Sequence, residues 1–189
     1  MANSLAIHML GKTSRLLLRA PQEKDMDPIL VLWTDPTVTR YVGGPRDPDI
    51  VADFEQYAAD PGRFIQQEAE WWWSIVELAS GQFAGMCGLI AKQIEGRDEL
   101  EIVYFLLPAC WGRGYATEAG RLVVDYAFTE LKRDTLIAIV DPGNVASIAV
   151  AHRLGMQFDR SLARPQGVTR HIYRLNRQDG SSTNPVHPG

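Results

Sequence analysis

The sequence predicts an α/β domain in which a buried central strand leads through a glycine turn into an amphipathic helix. Residues 100–107 are almost wholly apolar and stop at Pro108, which is typical of a strand buried on both faces. After Gly112 and Gly114, apolar residues recur at helical spacing over residues 115–131. With 189 residues, of which 46% are hydrophobic and 22% charged, the chain fits one globular domain with a sizeable core.

The amino-terminal part is expected to contribute one strand and two or three helices. Residues 1–13 have little pattern and are expected to form a flexible arm before a domain over residues 14–176. Alternating apolar residues over 15–19 predict a first strand. Helical spacing follows over residues 25–33 and 49–59, with a loop rich in Gly and Pro over 41–49, and residues 63–70 are interpreted as the beginning of another short helical piece.

The rest of the chain alternates predicted strands and helices around the central unit. Residues 71–78 and 83–91 predict a hairpin, and residues 95–98 turn into the central strand. Beyond the central helix we expect a strand, a helix and two strands, at residues 135–140, 144–154, 157–162 and 169–175. Residues 177–189 are polar and rich in Ser, Pro and Gly, so a disordered tail is expected.

Charge and cysteine content narrow the functional classes. The net charge is −4 with no basic cluster, which argues against nucleic acid as the main partner. No apolar run reaches membrane-spanning length and the amino terminus lacks the order of a signal peptide, so a cytoplasmic protein without membrane contact is expected. Cys87 and Cys110 have neither a paired spacing nor neighbouring histidines, so no disulfide and no metal site are expected. An acyl-cysteine route through Cys110 is the alternative to a buried, inert thiol.

The glycine turn before the central helix is the first candidate ligand site. Its backbone N–H groups have no intrahelical partner and lie at the positive end of the helix dipole, where a phosphate or pyrophosphate binds well. The turn lacks the Gly-Lys-Ser/Thr ending of a P-loop and the third glycine of the dinucleotide fingerprint. A kinase or a dinucleotide-binding enzyme is therefore disfavoured, while a glycine turn without a ligand stays open.

Residues 111–119, Trp-Gly-Arg-Gly-Tyr-Ala-Thr-Glu-Ala, resemble the acetyl-CoA motif Gln/Arg-x-x-Gly-x-Gly/Ala of the GNAT superfamily of N-acetyltransferases. Gly114 and Ala116 fill its last two positions. Trp111 replaces the first, as in the branch that resembles ribosomal-protein Nα-acetyltransferases. The resemblance extends from about residue 15 to about residue 175. It implies a GNAT-like α/β fold with a mixed, mostly antiparallel central sheet, a splayed strand pair and helices on both faces.

The same resemblance implies acetyl-CoA as donor, with CoA as product. In the family the pantetheine arm enters between the splayed strands after a bulge, like an added strand that satisfies free edge groups. By position, the main chain of Phe105, Leu106 and Leu107 is expected to line that slot. The pyrophosphate is expected on the residues of the motif, namely Trp111, Gly112, Arg113, Gly114, Tyr115, Ala116 and Thr117.

Two residues are candidates for the chemistry. Only a neutral amine can attack a thioester. At pH 7, removing the proton costs roughly 4 to 5 kcal/mol for a lysine of pKa ~10.4, but about 1 kcal/mol for an α-amine of pKa ~7.8. Glu101 opens the predicted central strand, at a position where the family often places its general base; a solvated glutamate is the alternative. Asn144-x-x-Ser147 resembles a motif of the ribosomal-protein branch. This resemblance implies that Asn144 contacts the pantetheine and that Ser147 lies near the CoA sulfur, where it serves as donor to the leaving thiolate. Asn144 also suits an ordinary helix N-cap, and Ala151 stands where other branches carry a tyrosine.

The implied function is transfer of acetyl from acetyl-CoA to a primary amine, on a protein α-amine or a small molecule, by direct attack. An aminoglycoside or polyamine acetyltransferase and a non-catalytic acyl-CoA-binding module are the alternatives. Glu70 and Glu77 are weaker carboxylate candidates on the acceptor side, and His152 is expected on an outer face. Some aromatic residues are expected to wall the acceptor cleft, from the set Trp33, Tyr41, Trp71, Trp72 and Trp73. Exchange of carboxyl-terminal β-strands between two copies of the chain would form a homodimer, which is the predicted assembly.

Overall fold

The computed structural model describes residues 9–60, 70–163 and 167–177, which form one eight-stranded sheet with helices on both faces. The strands are β1 (Met9–Lys12), β2 (Leu16–Arg19), β3 (Glu70–Glu77), β4 (Phe83–Ile94), β5 (Arg97–Leu106), β6 (Thr135–Val140), β7 (Gln157–Ala163) and β8 (Thr169–Asn176). The α-helices are α1 (Met26–Thr34), α2 (Pro36–Thr39), α3 (Ile50–Ala59), α4 (Tyr115–Thr129) and α5 (Val145–Arg153). Among these described ranges no helix is long and apolar enough to cross a membrane.

The strand order is β1-β2-β3-β4-β5-β6-β8-β7, and every neighbouring pair is antiparallel except β5 and β6, which run parallel. This confirms the predicted mixed, mostly antiparallel sheet. The predicted hairpin is present as β3 and β4. The predicted turn into the central strand is also present, with positive φ at Glu95 and Gly96 (51° and 78°). Such a two-residue turn matches the twist of the flanking strands.

Side-chain alternation along β5 separates two cores on opposite faces of the sheet. Leu100, Ile102 and Leu106 pack with residues of α4 and α5. Val103 and Phe105 pack on the other face, where the ring centroids of Phe105 and Trp33 lie 4.4 Å apart. Helices α4 and α5 therefore cover one face of the central strand, and α1 covers the other.

β5 and β6 are joined by a single residue pair, Glu101 with Ile137. On its other edge β5 pairs with β4 along its whole length, from Arg97 to Leu106. The two parallel strands therefore diverge after Glu101, which is the predicted splayed pair. The family pattern places a bulge here, but the register between β4 and β5 contains no shift.

The main chain at the end of β5 corrects one prediction. The Leu107 N–H donates to the carbonyl of Ala84 in β4 (3.0 Å), whereas the Leu106 carbonyl accepts from Trp111 Nε1 (2.8 Å). The N–H and C=O groups of successive residues point to alternate edges of a strand. Those of Tyr104 and Leu106 therefore point away from β4, into the gap between β5 and β6. The peptide groups of Phe105 and Leu107 face β4, so they do not line the gap as predicted.

Three further features differ from the sequence prediction. Residues 9–12 of the expected arm form β1, because pairing with β2 satisfies the edge of that strand. Helix α2 was not predicted; Asp35 caps it by accepting from the N–H groups of Thr37 and Val38. Glu70 begins β3 rather than ending a helical piece. Predictions for residues 1–8, 63–69 and 178–189 lie outside the described residues.

Candidate active site

A cleft of about 1180 Å³ lies where β5 and β6 diverge. Side chains from both faces of β5 line it, together with the starts of α4 and α5. Burial on both faces was predicted for the whole central strand. It holds for Leu100 and Ile102, but Val103, Tyr104 and Phe105 are only half-buried because they border the cleft.

The glycine turn forms one end of the cleft. Gly112 (φ 71°) and Gly114 (φ 79°) have left-handed backbones, which residues with a Cβ adopt at a cost. Gly114 is the N-cap of α4 and has no side chain to cap the first-turn N–H groups. Those donors remain available to a ligand at the positive end of the helix dipole.

A diphosphate fits this end of the cleft. Thr117 Oγ1 lines the cleft region, is buried, and has no hydrogen-bond partner among the described residues. A buried hydroxyl without a partner costs roughly 1 to 3 kcal/mol, so an acceptor oxygen placed there would be stabilising. The guanidinium groups of Arg15 and Arg113 lie 4.9 and 4.6 Å from the centre of the Tyr115 ring, and both side chains are about half exposed.

Arg15 was not a predicted site residue. Its Nη1 donates to the Arg113 carbonyl (3.0 Å), and its guanidinium pairs with Glu118 in the first turn of α4. Residue 15 precedes β2, far from the motif in sequence, so only the pairing of the strands brings it beside the glycine turn. No local pattern could have indicated this position.

Of the two weaker carboxylate candidates, Glu77 lies beside the glycine turn, whereas Glu70 lies two strands from Glu101 on the same face of the sheet. The Glu77 carboxylate accepts hydrogen bonds from Ser80, Tyr115 and Arg113 beside the glycine turn. The bonds from Ser80 and Tyr115, with the charge of Arg113, lower the pKa of Glu77 to about 2. Glu70 accepts from Trp72 Nε1 (2.9 Å) at the start of β3. Glu77 therefore serves local structure, while the role of Glu70 near the acceptor stays a prediction.

Glu101 lies inside β5, which begins at Arg97, and not at its start as predicted. The residue is only 6% exposed, so the alternative of a solvated glutamate is wrong. Lys92 on β4 holds its Nζ 3.1 Å from Glu101 Oε2, which compensates a charge that would be costly to bury alone. Glu101 borders both the main cleft and a smaller pocket of about 300 Å³.

Tyr104 and Ser147 form a hydroxyl pair on the other side of the cleft, with Tyr104 Oη 2.8 Å from Ser147 Oγ. Asn144 Oδ1 accepts from the Ser147 N–H (3.1 Å), so Asn144 is the N-cap of α5. Burial, partly offset by the Ser147 hydrogen bond, raises the pKa of Tyr104 to about 12. Ala151, where other branches carry a tyrosine, is fully buried. Sequence reasoning missed Tyr104, because a tyrosine within an apolar run has the pattern of core.

Glu101 and Tyr104 point to opposite faces of the sheet, because they lie three positions apart on one strand and successive side chains alternate between the faces. Glu101 alternates with Val103 and Phe105, which belong to the α1 face, while Tyr104 packs on the core under α4 and α5. The cleft between β5 and β6 reaches both side chains. A group held in this gap has a carboxylate on one side and two hydroxyls on the other.

Most of the other predicted side chains have structural roles. Of the five candidate aromatic residues, Tyr41 lines the cleft, while Trp33, Trp72 and Trp73 are buried and Trp71 packs on the α4 core. His152 is exposed, as predicted, with its ring 5.3 Å from that of Tyr173. Cys110 borders the cleft, and burial raises the pKa of its thiol.

Known proteins resemble this chain over most of its length. The family model described as "Acetyltransferase (GNAT) domain" matches residues 15–157. YkkB, an uncharacterized protein of Bacillus subtilis, is 32% identical over 79% of this chain and 86% of its own length. The uncharacterized N-acetyltransferase p20 of Bacillus licheniformis is 32% identical over 77% of this chain and 80% of its own.

The fold is also that of solved acetyltransferases. A spermidine N-acetyltransferase from Vibrio cholerae, crystallised with CoA and spermine, superposes with a TM-score of 0.72. The alignment covers 89% of this chain and 98% of that one at 18% identity. At such identity the likeness concerns the fold.

The sequence motif, the splayed strands and the family match agree with one another. The match includes the glycine turn, Glu101, Tyr104 and Ser147. GNAT acetyltransferases use acetyl-CoA, so the predicted fold, cofactor and enzyme class are confirmed. The finer assignment to the ribosomal-protein branch stays a prediction. The chain therefore belongs to the GNAT family and is an acetyl-CoA-dependent N-acetyltransferase.

Proposed function

We propose that this protein acetylates a primary amine by direct attack on acetyl-CoA, with Glu101 as general base and with Ser147 and Tyr104 as hydrogen-bond donors to the leaving sulfur. One observation carries the proposal: the carboxylate and the hydroxyl pair border the same cleft from opposite faces of β5. An amine arriving on one face can lose its proton there, while negative charge develops on the other face.

Acetyl-CoA supplies the acyl group as a thioester, and the residues around the cleft suit the parts of this molecule. The proposed pyrophosphate site consists of Trp111, Gly112, Arg113, Gly114, Tyr115, Ala116 and Thr117, with Arg15 beside it. The N–H and C=O groups of Tyr104 and the N–H of Leu106, whose carbonyl already accepts from Trp111 Nε1, would bind the pantetheine arm along the open edge of β5. Asn144 and the side chain of Phe105 would contact the same arm from the cleft walls.

Glu101 is suited to a base because it is held in place rather than free in solvent. Its carboxylate is buried beside the cleft and oriented by Lys92. For an α-amine, removal of the proton costs about 1 kcal/mol at pH 7, against roughly 4 to 5 for a lysine amine. General-base catalysis from one positioned carboxylate contributes roughly 3 to 5.5 kcal/mol, which exceeds the cost for an α-amine and reaches the cost for a lysine amine only at its upper end.

Tyr104 is suited to donate a hydrogen bond rather than a proton. Its pKa of about 12 keeps the hydroxyl protonated at neutral pH. Full transfer to an ordinary thiolate of pKa about 8.5 would be uphill by about 5 kcal/mol. A hydrogen bond to a charged acceptor stabilises it without that transfer, and Ser147 Oγ can act in the same way.

Replacing Tyr104 with phenylalanine is expected to lower kcat by about 10- to 100-fold, the effect of losing one hydrogen bond to a charged group. The Kd for acetyl-CoA should change little, because the bond forms mainly to the departing sulfur. Steady-state kinetics and calorimetry measure the two quantities. Tyr126→Phe is the matched control, because Tyr126 is a buried tyrosine of α4 under the same face. Equal kcat values in wild type and Tyr104→Phe would contradict this role.

Direct attack also predicts that no acetyl group rests on the protein. Incubation with radiolabelled acetyl-CoA and no acceptor should leave the chain unlabelled, and Cys110→Ala should retain at least about half of the turnover. The reason is that a raised pKa leaves little Cys110 thiolate at pH 7. Stoichiometric labelling that disappears in Cys110→Ala would establish the acyl-cysteine route instead.

The acceptor proposed here is a single primary amine on a protein terminus or a small molecule. The spermine-bound neighbour supports a small amine, and the Asn144-x-x-Ser147 motif supports an α-amine. The homodimer stays a prediction; β7 is the edge strand of the sheet and carries the half-exposed Phe158. Cytoplasmic location likewise stays a prediction.

A further inference from the structure

The smaller pocket beside Glu101 lies on the α1 face of the sheet, where the acceptor is expected. It has a volume of about 300 Å³ and opens into the main cleft, because Glu101, Tyr41 and Ile139 border both. Lys92 and Arg170 complete its polar wall. No predicted site residue other than Glu101 and Tyr41 belongs to it, and nothing in the family match says what it holds.

The charges of this pocket are mainly positive. Among the described residues that line it, Lys92 and Arg170 are cations and Glu101 is the acidic residue. Glu101 is already paired with Lys92 (3.1 Å), and in the proposed function it faces the reacting amine. Each cation is ion-paired, Lys92 with Glu101 and Arg170 with Asp141, so a second ammonium on the acceptor would meet only carboxylates that already have a partner. A lysine has three N–H donors and an arginine has five, so both cations can bind a further acceptor oxygen.

Two other carboxylates of this region are also engaged. Asp141, on the wall of the main cleft, pairs with Arg170 and accepts from the Gly143 N–H (2.8 Å). Glu99 makes a bidentate ion pair with Arg174 on β8 and is 4% exposed. Neither carboxylate is available to a polycation without losing its arginine.

Arg170 is held so that it can receive an anion. Its Nη1 pairs with Asp141, and its Nη2 reaches the Tyr41 carbonyl at 3.3 Å, a long and weak hydrogen bond. The side chain is about one-fifth exposed, so a ligand in the pocket can contact it. An arginine fixed in this way recognises carboxylates well, because less side-chain freedom is lost on binding.

We propose that the pocket formed by Tyr41, Lys92, Arg170 and Val168 selects an acceptor that carries a carboxylate as well as its amine, and disfavours polyamines. Arg170 and Lys92 bind the carboxylate while Glu101 faces the amine. A free amino acid and a polypeptide with an acidic second residue share this chemistry. The inference rests on the proposed function for the position of the amine.

Binding to the CoA-loaded protein tests the pocket without requiring turnover. The probes are glycine, spermidine, and two amidated peptides, Ser-Glu-Gly-Gly and Ser-Lys-Gly-Gly, titrated calorimetrically into protein saturated with CoA. We expect the Glu peptide to bind about 10- to 100-fold more tightly than the Lys peptide and than spermidine, the effect of one or two charge-assisted hydrogen bonds. Glycine binding as well as the Glu peptide would identify a free amino acid as the source of the carboxylate; weaker glycine binding would identify a peptide.

Variants assign the preference to the pocket. Arg170→Gln should remove most of the difference between the Glu and Lys peptides. Arg160→Gln should leave it intact, because Arg160 on β7 pairs with Glu95 and Asp159 outside the pocket. Equal or tighter binding of spermidine by the wild type, or an unchanged preference in Arg170→Gln, would overturn the proposal.

Turnover with acetyl-CoA, followed as CoA release, separates this inference from the proposed function. Tight binding of the Glu peptide without acetylation would leave the pocket assignment standing and refute the role of Glu101 toward that amine. Acetylation that favours spermidine would refute the pocket assignment and leave amine acetylation standing.

Discussion

Replacing Glu101 with glutamine is expected to lower kcat by about 100- to 10,000-fold, the usual contribution of a positioned general base. The glutamine keeps the size of the side chain and removes its charge, while the Kd for acetyl-CoA should stay within about threefold, because the carboxylate contacts the amine side. Steady-state kinetics with the best acceptor found, together with calorimetry, measure both effects.

A dependence on pH separates a base from a merely structural carboxylate. As the pH approaches the pKa of the acceptor amine, the free amine becomes abundant and less assistance is needed. The deficit of Glu101→Gln should therefore shrink as the pH rises. Glu70→Gln is the control, because Glu70 is a carboxylate of the same sheet that bonds locally to Trp72 Nε1. A kcat within about threefold of wild type, or a deficit that is constant with pH, would rule out this role.

Replacing Gly114 with aspartate is expected to weaken acetyl-CoA binding more than about 100-fold, because the new carboxylate lies where the pyrophosphate is proposed to bind. Gly114 has a φ of 79°, so the change also strains the backbone by roughly 1 to 2 kcal/mol. Calorimetric titration with acetyl-CoA gives the Kd, and circular dichroism checks that the protein remains folded.

Gly96→Asp is the matched control for that strain. Gly96 has a φ of 78° in the β4–β5 turn and does not border the cleft, and the space that a Cβ would occupy there is open. The substitution adds the same charge and the same backbone penalty away from the ligand. Similar losses of affinity in both variants, or unchanged affinity in Gly114→Asp, would refute the assignment of the phosphate site.

Local patterns in the sequence predicted the parts of the site that are built locally. The glycine turn, the start of α4 and the Asn144 cap each depend on residues within one turn of chain, and all are present. The start of β5 was misplaced, because Arg97, Asp98 and Glu99 look like a surface turn. Glu99 is nevertheless buried, since Arg174 from β8 neutralises it.

The residues that sequence reasoning missed come from distant parts of the chain. Arg15 reaches the glycine turn from before β2, and Arg170 reaches the pocket beside Glu101 from β8. Tyr104 depends on α5 for its partner Ser147. No periodicity along one segment encodes such neighbours, because strand pairing and helix packing bring them together.

The position of Glu101 and Tyr104 on opposite faces of β5 has a consequence for inhibitors. Each reactant would reach the gap from its own side of the sheet, so neither obstructs the entrance of the other. A compound that fills only one side should compete with one reactant alone. A compound that mimics both reactants at once must pass between β5 and β6 and contact both faces of the sheet.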